Sequence, residues 1–450
     1  MVASVNRKDR MKRHRIALVA LAALGLVAAG CGGSSSSSSG PAAGTTTSSG
    51  LTGKITFDGV WTGAEAAHFA NVIKVFNQSY PNVRIAYKPV GGNLPTVLST
   101  AVAAGNPPDM ADIAQPGLIQ EFVNKKALQP IDYAKPTMVR NFAPPWIRLG
   151  TYNGDLYSVV FKASNKSLVW YNVHAFKTAG VKPPTSWNQF LQLASTVKSS
   201  GTTPFSIGGA NGWTLTDLFE NIYLRTAGEK VYNELSAHQI EWTDPTVATA
   251  LQMMAKVIQP DLMVGGTSGA LQTDFPTSVN NVFASPPKGA MVIEGDFVPG
   301  SATVKAKPET GYNVFAFPSI NGSSPAVEVA GDSIVTFRDT PAIQAFETFL
   351  ATPAAGDAWA KYGGFASGNT HVSSNAFPDP ISQANEKAVE NAKSIVFDMS
   401  DRQPGSFGAT VGQGEWGLFQ TFLKDPSNVA GIQKQLETDA AAAYKQAASG

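Results

Sequence analysis

The sequence predicts an α/β fold with a mainly parallel sheet, and three observations carry that expectation. From Leu51 onward, segments of period-2 hydrophobic alternation exchange with segments of helical period. That exchange is the pattern of strands joined through helices. A chain of 450 residues is long enough for two domains or lobes. A single cysteine, Cys31, rules out internal disulfides, so the fold must rest on its core. The 43% hydrophobic fraction and eight tryptophans supply one.

In chain order, the first element is a leader. Arg7, Lys8, Arg10, Lys12, Arg13 and Arg15 form a basic start, followed by an apolar run of 14 residues, Ile16 to Ala29. A membrane span needs about 20 such residues, so this length suits a secretory signal better. The small residues Ala28, Ala29 and Gly30 precede Cys31, and the four together resemble a bacterial lipobox with Ala28 where Leu is usual. The expectation is a signal peptide over 1–30, cleavage before Cys31, and lipidation of its thiol. A diacylated cysteine meets the need for more than one chain in stable anchoring. Residues 31–50 then read as a Ser/Gly/Thr-rich tether that cannot bury enough apolar surface to fold. Its 19 residues after the cysteine span about 24 Å on average.

Lys54–Phe57 alternates as a first strand, and Phe69, Val72, Ile73 and Phe76 mark one face of a helix. Val83, Ile85 and Tyr87 give a second strand. Leu94, Val97, Leu98, Ala101 and Val102 give a second helix, and Gly105 to Asp109 breaks the chain before a third strand. Leu118, Ile119, Phe122 and Val123 form a third helical face. Residues 157–172 are apolar and extended. Ser186 with Gln189 has the spacing of a capping box, opening a helix through Val197. A strand at 205–207 precedes the glycine-rich loop 208–213, and Thr214 to Leu224 is helical. Ala290–Ile293 and Val314–Phe317 read as short buried strands. Thr340 caps a helix with Pro341 at its first position, and Ile432, Leu436, Ala440 and Tyr444 close the chain on a helix.

Charge narrows the partners. Of 34 Lys+Arg and 33 Asp+Glu, the leader removes six and one, leaving 28 against 32 and a net charge of −4. A mildly acidic chain argues against nucleic acid. No GxxxxGK[ST] or GxGxxG signature follows a strand, no HExxH is present, and the five histidines are scattered. Nucleotide, metal and cofactor binding are therefore not expected. No GxSxG elbow supports serine catalysis. A carboxylate pair of glycosidase type is left open by counting acids alone.

The informative pattern is aromatic residues in polar loops beside acids: Trp61 with Glu65, Trp213 with Asp217, Phe297 with Glu294 and Asp296, and Trp416 with Glu415. Sugars present apolar C–H faces and many hydroxyls, so rings beside bidentate polar groups suit them. Trp187 and Trp359 lie within helical patterns and read as core.

These segments resemble the extracellular solute-binding proteins of carbohydrate ABC importers, of the maltose-binding type, in their alpha-glucoside branch. The resemblance is carried by Trp61-Thr-Gly-Ala-Glu65, Gly105-Asn-Pro-Pro-Asp109 with Gln115-Pro-Gly117, Trp213-Thr-Leu-Thr-Asp217 and Glu294-Gly-Asp-Phe297. Gly331-Asp332, Gly363-Gly-Phe365 and Phe397-Asp398 through Phe407-Gly408 follow in the same order. The resemblance covers about residues 53–446. It implies a two-lobe fold of the type II periplasmic-binding-protein kind with the ligand in the cleft. It implies a first lobe from about 51–161 and 320–370, and a second from 162–319 and 371–450, with crossings near 161–165 and 318–321. It places ligand contacts at Trp61, Glu65, Gln115, Asn165, Asn211, Trp213, Asp217, Glu294, Asp296, Phe297 and Trp416. Asn165 stands where the maltose binder has a carboxylate. The implied protein is a monomeric, lipid-anchored receptor on the outer face of the cell membrane, with no catalytic residue and no cofactor. It binds an alpha-glucoside and delivers it to permease subunits. A secreted carbohydrate-active enzyme, or a binder of a non-sugar solute such as a polyol or polyamine, are the alternatives. Conversion of a disaccharide to product separates the enzyme from the receptor.

Overall fold

The computed structural model describes residues 50–390 and 395–449. The leader, Cys31 and most of the tether lie outside the described residues. Among the described residues twelve strands follow in order: β1 Gly53–Gly59, β2 Val83–Pro89, β3 Met110–Ile113, β4 Thr151–Tyr152, β5 Asp155–Leu156, β6 Ser158–Asn165, β7 Leu168–Asn172, β8 Thr203–Phe205, β9 Gly289–Ile293, β10 Tyr312–Ala316, β11 Val327–Thr336 and β12 Ile395–Phe397.

They form two main sheets. The first runs β12-β11-β3-β1-β2, with β6 also paired to β11. Strands β1, β2 and β3 are parallel, in the register Gly53↔Val83 and Phe57↔Met110. The second runs β10-β7-β9-β8, and only its β8–β9 pair is parallel. The expected mainly parallel sheet therefore holds for the strand–helix units at the start of the chain. Elsewhere antiparallel pairs mix in: β11 runs against both β3 and β6 while pairing β12 in parallel.

Each sheet has its own core. Around the first, Phe57 on β1 meets Phe69 from the helix Gly63–Ser79 edge-on at 5.2 Å, and Phe346 and Trp359 close the cluster. Around the second, Phe205, Phe219, Trp242, Met291 and Phe419 pack with Leu436 of the C-terminal helix Val429–Ser449. Trp187 and Trp359 are buried, as their helical pattern predicts.

The Thr340 side chain accepts from the Ile343 amide at 3.3 Å, with Pro341 opening that helix. The capping box at Ser186 does not form. Ser186 makes no side-chain cap bond, and Gln189 Oε1 instead accepts from the Thr185 amide at 3.1 Å and its hydroxyl at 3.2 Å. The glutamine still satisfies a free donor before the first turn, but one residue further out.

Candidate functional site

A cavity of about 330 Å³ lies between the two sheets. One wall comes from the segments just after the carboxyl ends of three parallel strands. Val60–Thr62 follows β1, Gly91–Asn93 follows β2, and Ala114–Gln115 follows β3. Crevices at strand carboxyl ends are where open α/β sheets hold ligands. The opposite wall is built by Asn211 and Trp213 after β8, Phe275, Phe297 after β9, Ser400, Asp401 and Trp416. Lys162, Ser164 and Lys166 form the floor, together with Ala330 and Asp332 of β11.

The floor follows from strand parity. Successive side chains point to opposite faces of an extended chain. Lys162, Ser164 and Lys166 therefore share a face, and that face is the cavity's. Asn165 points the other way. Its backbone amide donates to Asp296 Oδ2 at 3.1 Å, the Asp296 amide returns to the Asn165 carbonyl at 3.0 Å, and its Oδ1 accepts from the Ser167 amide at 2.9 Å. Asn165 and Asp296 thus clasp each other behind the wall.

The two floor lysines organise the polar groups. Lys162 Nζ donates to Glu65 Oε1 at 2.7 Å and stands 3.5 Å from Asp332 Oδ2. Asp332 Oδ2 also accepts from the Trp61 ring N–H at 2.7 Å. Lys166 Nζ meets Asp398 at 2.5 Å, Asp217 at 3.2 Å and Asp401 at 3.8 Å. Burial alone would lower both lysine pKa values. The surrounding carboxylates outweigh it and hold both above the usual ammonium range. Burial raises Glu65, against the pull of Lys162. It pushes Asp217 up to about 7 against Lys166, and Asp296 up to about 7 against the Asn165 amide. Asp217, Glu328 and Asp398 bring carboxylate oxygens within 4.8 Å of one another, as metal ligands would. The Lys166 ammonium bonds two of the three and serves as their cation.

Apolar surface is concentrated on one side. Trp213 meets Phe275 at 5.0 Å and Phe297 at 6.2 Å, and Phe275 meets Phe297 at 5.4 Å. Trp213 is half-buried. Lys166 Nζ lies 5.5 Å from the Trp213 ring and Lys162 Nζ 5.1 Å from the Phe297 ring.

Of the residues expected at the site, Trp61, Glu65, Gln115, Asn211, Trp213, Phe297 and Trp416 line the cavity; Asn165, Asp217, Glu294 and Asp296 do not. Asp217, one turn beyond Trp213, was expected beside that ring to pair with sugar hydroxyls. It is buried and spent on Lys166 instead, with the Glu294 carboxyl facing it. Trp61 and Trp416 are almost fully buried. Sequence reasoning missed Lys162, Ser164, Lys166, Asp332, Asp401 and Phe275. The lysines did leave a signal: two charges and a serine at alternate positions inside an apolar extended run.

Residues from the two walls approach one another at three places. A Cβ on Gly92 would lie 3.3 Å from Asn211 Cγ. Gln115 Nε2 donates to Asp401 Oδ1 at 2.8 Å. Ser301 Oγ lies 3.5 Å from Glu65 Oε2. Among the described residues no helix is long and apolar enough to cross a membrane.

With this geometry in view, the chain was compared with known proteins. It is 31% identical over 399 residues to the alpha-glucosides-binding periplasmic protein AglE of Rhizobium meliloti, covering 84% of this chain and 86% of that protein. It is 29% identical over 363 residues to the osmoprotective compounds-binding protein GgtB of Synechocystis sp., covering 79% and 86%. The fold matches the crystal structure of the bacterial solute receptor AcbH with a TM-score of 0.77 at 21% identity, over 87% of this chain and 99% of that one. The two-sheet architecture is therefore that of the two-lobe solute receptors. Residues 61–357 match the family described as bacterial extracellular solute-binding protein, and the chain belongs to that family.

Proposed function

We propose that this protein is the sugar receptor of an ABC importer, taking an alpha-glucoside in the interlobe cavity and delivering it to membrane permease subunits. The observation that carries the reading is the pairing within one cavity of an aromatic wall, Trp213, Phe275 and Phe297, with a polar floor of lysines and carboxylates. Rings take the C–H faces of a pyranose, and fixed donors and acceptors take its hydroxyls. The relative named for alpha-glucosides supports the choice of linkage.

In this reading Trp61, Glu65, Gln115, Asn211, Trp213, Phe297 and Trp416 touch the ligand, while Asn165, Asp217, Glu294 and Asp296 position the residues that do. The lobes divide as about 51–161 with 320–370, and 162–319 with 371–450. They close by a hinge at the crossings, and ligand touching both favours the closed form by its differential affinity. The receptor works as a monomer held outside the cell by a lipidated Cys31 and the 31–50 tether, the 1–30 leader being removed. Its role is binding without turnover.

A thermal-shift panel tests this. Maltose, trehalose or sucrose should raise the melting temperature, and incubation should return the disaccharide intact. Stabilisation by a polyol or polyamine alone would overturn the sugar reading, and product formation would overturn the receptor reading.

A further inference from the structure

Around Lys166 the molecule buries more negative charge than it pairs. Asp217, Glu328 and Asp398 are all but fully buried, and each places a carboxylate oxygen within 4.8 Å of the other two. They come from three segments: the helix Trp213–Ala227, β11, and the residue after β12. Lys166 bonds Asp217 Oδ1 and Asp398 Oδ2. One ammonium against three carboxylates leaves two negative charges over. Glu328 is the acid left out. Neither of its side-chain oxygens has a hydrogen-bond partner among the described residues. Its backbone is pinned, the amide donating to Ser167 Oγ at 3.0 Å and the carbonyl accepting from the Lys166 amide at 2.8 Å. The buried Arg225 does not bond it: that guanidinium donates to Asn221 Oδ1 at 3.0 Å and to the Ala326 carbonyl at 3.2 Å. Glu220 shows the usual arrangement, accepting from the Tyr232 hydroxyl at 2.6 Å and the Ser400 amide at 3.0 Å. Buried carboxylates are normally satisfied in that way, and a bare one is costly. Asp217 Oδ2 lacks a donor as well, and so does the Glu294 carboxyl that faces it.

We propose that Asp217, Glu328 and Asp398 form a calcium site. Every donor is a carboxylate oxygen, with no histidine or cysteine among them, which selects a hard cation. Oxygens this close can share one ion at the ~2.3–2.6 Å of calcium–oxygen bonds. Asp217 Oδ2 and both oxygens of Glu328 are free to take it. Asp398 Oδ1 is fixed in place by the Asp401 amide at 2.9 Å and Ser400 Oγ at 3.0 Å. A divalent charge cancels the excess that Lys166 leaves. Magnesium sheds its water reluctantly and keeps several molecules of it, which suits a buried site less well. The ion joins a helix of the second core to two strands of the first sheet, next to the ammonium that lines the cavity. Three carboxylates in an extracellular protein place its affinity at about 10⁻⁴–10⁻³ M. The site stands independently of which solute the cavity holds.

Titration of the whole, chelator-treated protein with calcium chloride, without sugar and at constant ionic strength, tests this. The melting temperature should rise saturably with a midpoint at about 10⁻⁴–10⁻³ M, and magnesium and sodium should bind at least about tenfold more weakly. Terbium is a luminescent stand-in for calcium. It should bind once per chain, be sensitised by Trp213, whose ring lies 5.5 Å from Lys166 Nζ, and be displaced by calcium. Glu328→Gln keeps the shape and removes one charge. It should weaken calcium at least about tenfold and melt, without calcium, no lower than the chelated wild type. Asp217→Asn should lose the calcium response in the same way. A wild type that neither responds to calcium nor binds terbium would overturn the proposal whatever the variants do. So would an equal response to sodium, or unchanged calcium affinity in Glu328→Gln. Stabilisation by mild acid with calcium inert would overturn it too, and would show that the acids share protons instead. None of these results bears on sugar binding.

Discussion

The approach of the two lobes on the Gln115 side depends on Gly117, and Gly117→Ala measures how far closure depends on that contact. Gly117 lies in the helix Pro116–Asn124, which follows β3. A Cβ there would fall 1.9 Å from the Gln403 carbonyl oxygen, 2.7 Å from its carbon and 2.9 Å from the Arg402 oxygen. An ordinary carbon–oxygen approach is about 3.3 Å, so the segments must separate by about 1.4 Å. That separation stretches the 2.8 Å bond from Gln115 to Asp401 and the 2.6 Å bond from the Gly405 amide to Glu121 beyond hydrogen-bonding range. Overpacking of this kind costs about 1–3 kcal/mol. Because alanine suits a helix better than glycine, the cost falls on the closed form rather than on the lobe itself. Affinity should then drop about 5- to 150-fold with the ligand-free melting temperature steady or slightly raised. Calorimetry gives the affinity, and small-angle scattering should show a larger radius of gyration with ligand than for the wild type. Unchanged affinity and unchanged radius would show that the contact plays no part in closure.

Trp213→Ala should weaken sugar binding about 10- to 150-fold, from the ~1.5–3 kcal/mol of ring burial, with little change in the ligand-free melting temperature because the ring is only partly buried; a large fall in melting temperature with near-normal affinity would make it a core residue. Lys162→Met leaves Glu65 and Asp332 without their cation and should cost about 3–5 kcal/mol at neutral pH; the loss should shrink in mild acid, where Glu65, already raised by burial, takes a proton. Glu347, buried and accepting from the Tyr133 hydroxyl at 2.6 Å, is pushed up to about 8 by burial. The folded state therefore binds the extra proton, so its stabilisation is full below the unfolded value of about 4.5 and is lost as pH rises through 8. Urea unfolding between pH 5 and 9 should show stability falling, and Glu347→Gln should flatten the curve by up to about 4 kcal/mol; an unchanged slope would remove the claim. Cys31→Ala should move the protein from the membrane fraction to the medium, and continued membrane association would overturn the lipid anchor.

Local pattern was enough for the first three strand–helix units. Period-2 and period-3.6 stretches from Leu51 to Val123 became β1 to β3 and their helices, because each buries its face against its immediate neighbours. The aromatic members of the site were legible for a related reason. Trp213 opens the helix Trp213–Ala227 and Phe297 immediately precedes the helix Val298–Ser301, so each stands beside acids at the start of an element rather than on a regular apolar face. What was not legible depends on partners far along the chain. Asp217 looks available from its own helix, but Lys166, 51 residues earlier, claims it. Glu294 and Asp296 are adjacent to Phe297 in sequence yet face Asp217 and Asn165. Asn165 itself was within reach of sequence reasoning. Strand parity from an apolar run that tolerates Lys162 and Lys166 already assigns those lysines and Asn165 to opposite faces.

The position of β12 bears on how the chain acquires its structure. Residues 395–397 complete the edge of the first sheet by pairing with β11, and Asp398 immediately afterwards supplies the shortest bond to Lys166, 232 residues upstream. The second core closes still later, when Leu436 and Ala440 reach it. Neither half can therefore reach its final packing while the last quarter of the polypeptide is missing. Such long-range pairing makes folding slow. The early strand–helix units can pair with their neighbours as they are made, but the edge of the first sheet and the second core are completed only by segments from the end of the chain.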